Sequence, residues 1–355
     1  MLKLENPLAF EPVSSVCALV GNDPGLVEGA IASLPVESLK EFILVGPQPL
    51  APTARRRNCK KHLVIELTPE NVGSARECLG GMPNGCFVLP VDDCGSDFVS
   101  ALGEGSWIAA PVSPAEVSRR LQDKLNFFSL CRDLSIPAPS TVALPDFKSA
   151  DFDELGRRLG LPVVFRPEGR NPPLRLAIIH TPSEFKRWAG GIASRRARFV
   201  AQSYAPGQDA GISALAGKGA ILRYAIRFPE QRRIRFVRDD RILDYAKRIV
   251  AETGYSGFFA IDFRFRVNGG VQALGFKPGT WATMNASTWR GLNFIRAAFE
   301  IAHGGASNEP ALLSDGAAPR TGLEVLKTAL RGSLQGERFS VDQKRIIRHY
   351  LWLDR

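Results

Sequence analysis

The chain has 355 residues, 45% of them hydrophobic and 23% charged, and its 46 lysines and arginines against 36 acidic residues give a formal net charge of +10. That length accommodates two or three domains, and the composition is that of a globular fold, not of a disordered or low-complexity chain. No apolar run reaches the roughly 18 residues of a spanning helix, and MLKLENPLAFEPVSS has no basic stretch ahead of an apolar core, so neither a membrane span nor a secretory leader is expected.

The cysteines Cys17, Cys59, Cys78, Cys86, Cys94 and Cys131 contain no Cys-x-x-Cys pair, and His62 is the only histidine among them. This pattern argues against zinc and for reduced, structural thiols in a cytoplasmic protein. The positive charge favours anionic partners: nucleotides, phosphorylated metabolites or nucleic acid. Its clusters, Arg55-Arg56-Arg57 with Lys60-Lys61, Arg195-Arg196 with Arg198, and Arg232-Arg233 with Arg235 and Arg238, lack interleaved aromatic residues. They read as solvated faces or loops, which argues against single-stranded nucleic acid.

In chain order, Val16–Val20, Phe42–Val45, Leu63–Ile65, Phe87–Val91 and Trp107–Ala110 are short apolar strands. Helical stretches separate them, one opening at Asp23-Pro24 and one at Thr68-Pro69. Asp before Pro supplies an N-cap and a preset first helical residue. Alternation of this kind predicts a parallel sheet with helices on its faces. The turn at Gly21 lacks Gly-x-Gly-x-x-Gly, so a dinucleotide site is not supported.

Pro111-Val112-Ser113-Pro114 marks a boundary, after which Ser113 is expected to cap one helix running to about Leu134. Asp123-Lys124 lies inside that helix, and Ile136-Pro137-Ala138-Pro139-Ser140-Thr141 follows it. Next come an apolar strand ending in Arg166-Pro167, then Glu168 to Arg175 with one glycine and two prolines, and a strand over Leu176–Ile179. A helix over Pro182–Ala189 is capped by Thr181. Arg198 to Asp209 reads RFVAQSYAPGQD. Two strands, Ile212–Leu215 and Ala220–Arg227, flank Gly217-Lys218-Gly219, and either Arg223 or Arg227 is placed to meet phosphate. A helix from Arg241 ends at Gly254, a C-cap glycine. Two strands then flank Asn268-Gly269-Gly270, whose residues suit the positive φ of a tight turn. The first strand carries Asp262, the second runs into Gly275-Phe276-Lys277-Pro278-Gly279. Thr288–His303 is expected to be one apolar helix, Gly304–Arg320 a linker, and Arg338–Arg355 a basic amphipathic segment packed on the body.

The order of these motifs over about residues 1–305 resembles the ATP-grasp superfamily, in particular its carboxylate-amine ligases. The resemblance implies a Rossmann-like N-terminal α/β domain (1–111), an ATP-grasp domain (112–305) and a linker with a helical tail (306–355). It implies ATP as ligand, with Lys124 and Arg166 on the phosphates, Gln202, Ser203 and Tyr204 in the segment that holds adenine, and Asp209 on the ribose hydroxyls. It leaves Asp262 as the one expected Mg²⁺ ligand of the signature hairpin, by itself a weak site for the ion. The hairpin departs from the family pattern at three positions: Gly275 replaces Glu, Lys277 replaces Asn and Gly279 replaces Arg. Arg166 stands where the family has Lys, and Glu168 to Arg175 lacks most of the glycines that let main-chain N–H groups approach phosphate. Lys277 is placed either to pair with Asp262 structurally or to stand in for the metal.

Two functions follow from the resemblance. One is an ATP-dependent ligase that forms an acyl phosphate from a small anionic substrate. The other is a catalytically inactive relative that binds nucleotide or metabolite as a sensor, as a homo-oligomer or with a protein partner. Nucleic-acid binding through the basic clusters is a third and weaker reading.

Overall fold

The computed structural model describes residues 16–35, 39, 41–56, 59–81, 86–144, 150–168, 175–192, 198–305, 311–312 and 315–351. The first sheet is parallel and has five strands: β1 (Val16–Val20), β2 (Glu41–Gly46), β3 (Lys61–Val64), β4 (Phe87–Pro90) and β5 (Ile108–Ala109), in the order β3-β2-β1-β4-β5. Helices α1 (Pro24–Ser33), α2 (Ala51–Arg56), α3 (Val72–Gly80) and α4 (Asp93–Leu102) connect them. The inner strands β1 and β4 are buried along their whole length because helices cover both faces of the sheet. Asp23 caps α1 by accepting from Gly25 N and Leu26 N, as its sequence signals.

Where one long helix is expected after Pro114, there are two, α5 (Ala115–Gln122) and α6 (Lys124–Asp133). Asp123 breaks the run with extended backbone, ψ 121°, and its carboxylate caps α6 through Asn126 N. Ser113 caps neither helix; its Oγ donates to Ser256 O at 2.9 Å and accepts from Ser256 N, tying the boundary to the hairpin domain.

A four-stranded antiparallel sheet follows, β6 (Thr141–Leu144), β7 (Val163–Pro167), β8 (Ala177–Ile179) and β9 (Phe199–Ser203), in the order β6-β9-β7-β8. Helices α7 (Phe152–Leu159) and α8 (Pro182–Ile192) cover one face around Phe152, Phe165, Phe185 and Phe199. The glycine-poor segment 169–174 lies outside the described residues.

The largest sheet has seven strands. It contains β10 (Gln208–Gly217), β11 (Ala220–Pro229), β12 (Arg233–Val237), β13 (Gly257–Phe265), β14 (Val271–Pro278), β15 (Ala311–Leu312) and β16 (Gly316–Pro319). Helix α9 (Asp240–Thr253) packs on β10 and β11 and ends at Gly254, φ +61°, in the left-handed region. The segment expected as a linker therefore supplies β15, beside β11, and β16, beside β12. The helix expected over Thr288–His303 is also two, α10 (Met284–Trp289) and α11 (Phe294–Ala302), separated at Gly291 with φ +99° and restarted by the Asn293 cap.

The tail forms α12 (Gly322–Leu334) and α13 (Val341–Leu351) and packs back on the body, as expected. One apolar core joins Leu19 and Phe87 of the parallel sheet to Phe258, Trp281 and Phe294 and to Ile346 of α13. Among the described residues no helix is long and apolar enough to cross a membrane.

Candidate functional site

Asp262 lies in a row of residues that crosses four strands. Gly275 faces it from β14, Gly211 faces it from β10, and Arg227 of β11 faces Gly211. Both immediate neighbours of the carboxylate are thus glycines, and both spaces are used. Arg227 lies across Gly211, where a Cβ would come 3.4 Å from its guanidinium carbon. Its Nη2 is 3.7 Å from Asp262 Oδ1, and its Nε donates to Ser213 Oγ at 3.1 Å. On the other side, a Cβ at Gly275 would sit 3.6 Å from Arg166 Nη2.

Arg166 reaches this point from the end of β7. Pairing between β13 and β14 slips at Asp262/Phe263, so that Leu274 has no partner in the register. Its carbonyl instead accepts from Arg166 Nη1 at 2.5 Å. The same Nη1 lies 3.4 Å from Gln202 Oε1, and Gln202 Nε2 donates to Thr141 Oγ1. Arg166 is therefore the link between the small sheet and the hairpin, and Gln202, buried in β9, holds it from within the small sheet. Burial lowers the pKa of both Arg166 and Arg227, with Asp262 acting in the opposite direction; a guanidinium remains charged through such shifts.

Lys277 completes the cluster. It stands opposite Ala260, on the same face as Asp262, and its Nζ is 2.5 Å from Asp262 Oδ2. Its side chain is 66% exposed, while that of Arg227 is 17% exposed. Lys124 opens α6 nearby, and burial first, then the Arg166 charge, lower its pKa.

Two cavities meet at this cluster. A cleft of about 440 Å³ lies against the small sheet, and a cavity of about 500 Å³ lies towards the N-terminal domain. Arg166, Arg227, Asp262 and Lys277 line both. The cleft also takes in Gln202, Ser203, Tyr204 and Asp209, four of the residues singled out from sequence. Asp209 is on the rim, paired across the strands with Arg264 at 2.9 Å. Lys124, the remaining one, lines the larger cavity only.

Three features are settled only by the structure. Leu176 and Ile178, 56% and 43% exposed, give the cleft an apolar side together with Tyr204, 43% exposed; exposed apolar residues grouped in a concavity are the usual mark of a ligand face. Of the two arginine candidates on β11, it is Arg227 that reaches the cluster. Gly279 is imposed by packing: its φ is +90°, and a Cβ there would come 3.0 Å from the Asp92 main chain.

The donor set does not suit Mg²⁺. An octahedral Mg²⁺ site needs carboxylate oxygens facing phosphate and water, and both oxygens of Asp262 face cationic side chains. Among the described residues, the one group of carboxylate and thiol ligands close enough to share an ion is Asp92, Asp93 and Cys94, at the start of α4. Asp92 there is already engaged, accepting from Asn22 N, Asp23 N and Gly95 N.

No protein-family model and no curated protein matches the sequence. Solved structures do match. N5-carboxyaminoimidazole synthetase from Staphylococcus aureus superposes with a TM-score of 0.66 at 12% identity, over 89% of this chain and 86% of that one. The N5-carboxyaminoimidazole synthase from Aspergillus clavatus, in complex with ADP and 5-aminoimidazole ribonucleotide, gives 0.60 at 14% identity, over 81% and 77%. An L-amino acid ligase from Bacillus licheniformis gives 0.63 at 11% identity, over 84% and 77%. These neighbours are ATP-grasp carboxylate-amine ligases. The chain has their fold: a parallel N-terminal sheet followed by the two antiparallel sheets of the ATP-grasp.

Proposed function

We propose that this protein binds an adenine nucleotide in the cleft without a metal ion, and that it serves as a nucleotide-responsive binding protein instead of a ligase. The observation that carries this reading is the ion pair of Lys277 with Asp262. Lys277, Arg166 and Arg227 place three cationic groups around one carboxylate, a cluster with net positive charge where a metal would otherwise neutralise phosphate. Fixed cations of this kind stabilise a bound polyanion. They do not supply the water-bearing octahedral template that orients phosphoryl transfer. The adenine ring is assigned to the apolar side formed by Leu176, Ile178 and Tyr204, and the ribose to the rim at Asp209. The ADP-bound structural neighbours support a nucleotide as the occupant.

Titration calorimetry with ATP tests this directly. Binding of similar strength in EDTA and in Mg²⁺ is the expected result. No binding in EDTA, with binding restored by Mg²⁺, contradicts it.

A second reading keeps the ligase activity, and the larger cavity favours it by opening on the same wall of charge as the cleft. That reading requires Mg²⁺-dependent release of ADP in the presence of a small acid, and its loss on Asp262→Ala.

A further inference from the structure

Helix α12 carries a leucine stripe on the side turned away from the body. It contacts α13 and β16, and its buried residues are Val325, Ala329 and Gly332. An α-helix turns by about 100° per residue, which sets Leu323, Lys327, Leu330 and Leu334 within about 60° of one another on the opposite side. The three leucines are 62%, 64% and 80% exposed. Leucines there add nothing to the core, and grouped exposed leucines are the mark of a surface that another surface covers.

The spacing and the flanking charges say what covers it. Intervals of four, three and four residues are those of a two-helix seam, with Leu323 and Leu330 at d and Lys327 and Leu334 at a. Glu324 and Arg331 then both fall at e, on one flank of the stripe. In an antiparallel pair each a faces a d, and each e faces an e. A twofold axis between positions 328 and 329 therefore lays Leu323 against the partner's Leu334 and Lys327 against the partner's Leu330. It also brings Glu324 to the partner's Arg331, and Arg331 to the partner's Glu324. A parallel pair would set Arg331 against Leu326, at g, and leave the charges unmatched. The stripe is thus self-complementary in one orientation, the property that a twofold contact requires. Lys327 fits this seam: its ammonium lies 3.4 Å from Glu324 Oε1, on the charged flank, while its stem stays in the stripe. A single lysine at an a position costs stability and fixes register and partner number.

We propose that α12 is a homodimer seam, packed antiparallel about a twofold axis on α12 of a second copy of this chain. The seam is independent of what the cleft binds.

Analytical ultracentrifugation of the full chain across a concentration series tests this. A reversible dimer is the expected result. Leu330→Glu puts a charge at the middle of the seam and should raise the dissociation constant at least about thirtyfold, the effect of losing a central contact. The flanking charges test the orientation. Glu324→Arg leaves two arginines on the flank and Arg331→Glu leaves two glutamates, so each variant alone should self-associate about tenfold more weakly. Mixed in equal amounts, the two variants should form a dimer with one copy of each, as tight as that of the unaltered chain. A variant that merely loosened the fold would not be rescued by mixing. A chain that stays monomeric across the series, or a dimer indifferent to Leu330→Glu, overturns the seam. Single charge variants that dimerise like the unaltered chain, or that fail to pair when mixed, overturn the antiparallel register.

Discussion

Lys277 holds Asp262 from the neighbouring strand, its ammonium 2.5 Å from the carboxylate and on the same face of the sheet. The pair closes a position that needs open carboxylate oxygens if it is to hold a metal. It also leaves Asp262 shared with Arg227 and close to Arg166, so that one negative charge organises three positive ones. The predictions below follow from that arrangement.

Changing the hairpin back towards a metal site is expected to change what the cleft requires. A side chain at position 275 has room, since its Cβ would meet Arg166 Nη2 at an ordinary 3.6 Å. The double substitution Gly275→Glu with Lys277→Asn removes one cation and adds a carboxylate beside Asp262. ATP binding by this variant should become weak in EDTA and recover in Mg²⁺, as read by calorimetry. Binding that stays independent of Mg²⁺ would show that the cluster does not stand in for the ion.

Gly211 is expected to be as important as the charged residues around it. A Cβ there would lie 3.1 Å from Ile261 O and 3.4 Å from the Arg227 guanidinium. Gly211→Val forces Arg227 away from Asp262 within a central strand. The expected cost is about 1–3 kcal/mol of stability, as for other overpacked positions, together with a measurable loss of ATP affinity. Denaturant unfolding and ATP titration on the same sample separate the two effects.

Asp92 is expected to matter for folding. Its carboxylate serves two helix starts at once, taking Asn22 N and Asp23 N on one oxygen and Gly95 N on the other. Burial raises its pKa, opposed by those three N–H donors. Asp92→Ala leaves the donors unmatched, at an expected cost of about 1–3 kcal/mol, the usual penalty for stranding buried polar groups. The loss should appear as a lower denaturant midpoint with an unchanged m-value.

Lys124 gives a pH signature. Burial, then the Arg166 charge, lower its pKa from the ordinary 10.5. Between the lowered folded value and the unfolded one, the unfolded chain holds more protons, so this residue makes stability rise with pH in that window. An acid group bound at Lys124 favours the ammonium and raises its pKa again. Binding of an acid there should therefore take up protons between the lowered and the restored value, and weaken as pH rises further. Calorimetry in buffers of different ionisation enthalpy measures the uptake, and Lys124→Gln should abolish it.

Much of the fold was legible because its signals are local. Apolar strands alternating with capped helices announce the parallel sheet, and Asn268-Gly269-Gly270 between an aromatic-rich run and a return run announces the hairpin. The breaks at Asp123 and Gly291 were hidden by apolar periodicity that continues through them. Gly316–Pro319 reads as a linker because Gly-Ala-Ala-Pro has no strand-forming side chains; its place in the sheet comes from pairing with β12. In the site, Arg166 and Asp262 could be found from motif order. Gly211 could not, because its part depends on lying opposite both Asp262 and Arg227, a fact of register and not of sequence spacing. Leu176 and Ile178 look like core residues in the sequence and are exposed because they alternate with Ala177 and Ile179, which face the helix-covered core of the small sheet.

The most direct test is ATP titration of the unaltered protein and of Lys277→Ala, both in EDTA. Metal-free binding in the first and about a tenfold loss in the second is the predicted result, the size expected when one charge-assisted contact worth roughly 1.5 kcal/mol is removed. Equal affinity in the two proteins, or no binding of ATP by either until Mg²⁺ is added, would contradict the assignment of Lys277 to the place of the metal.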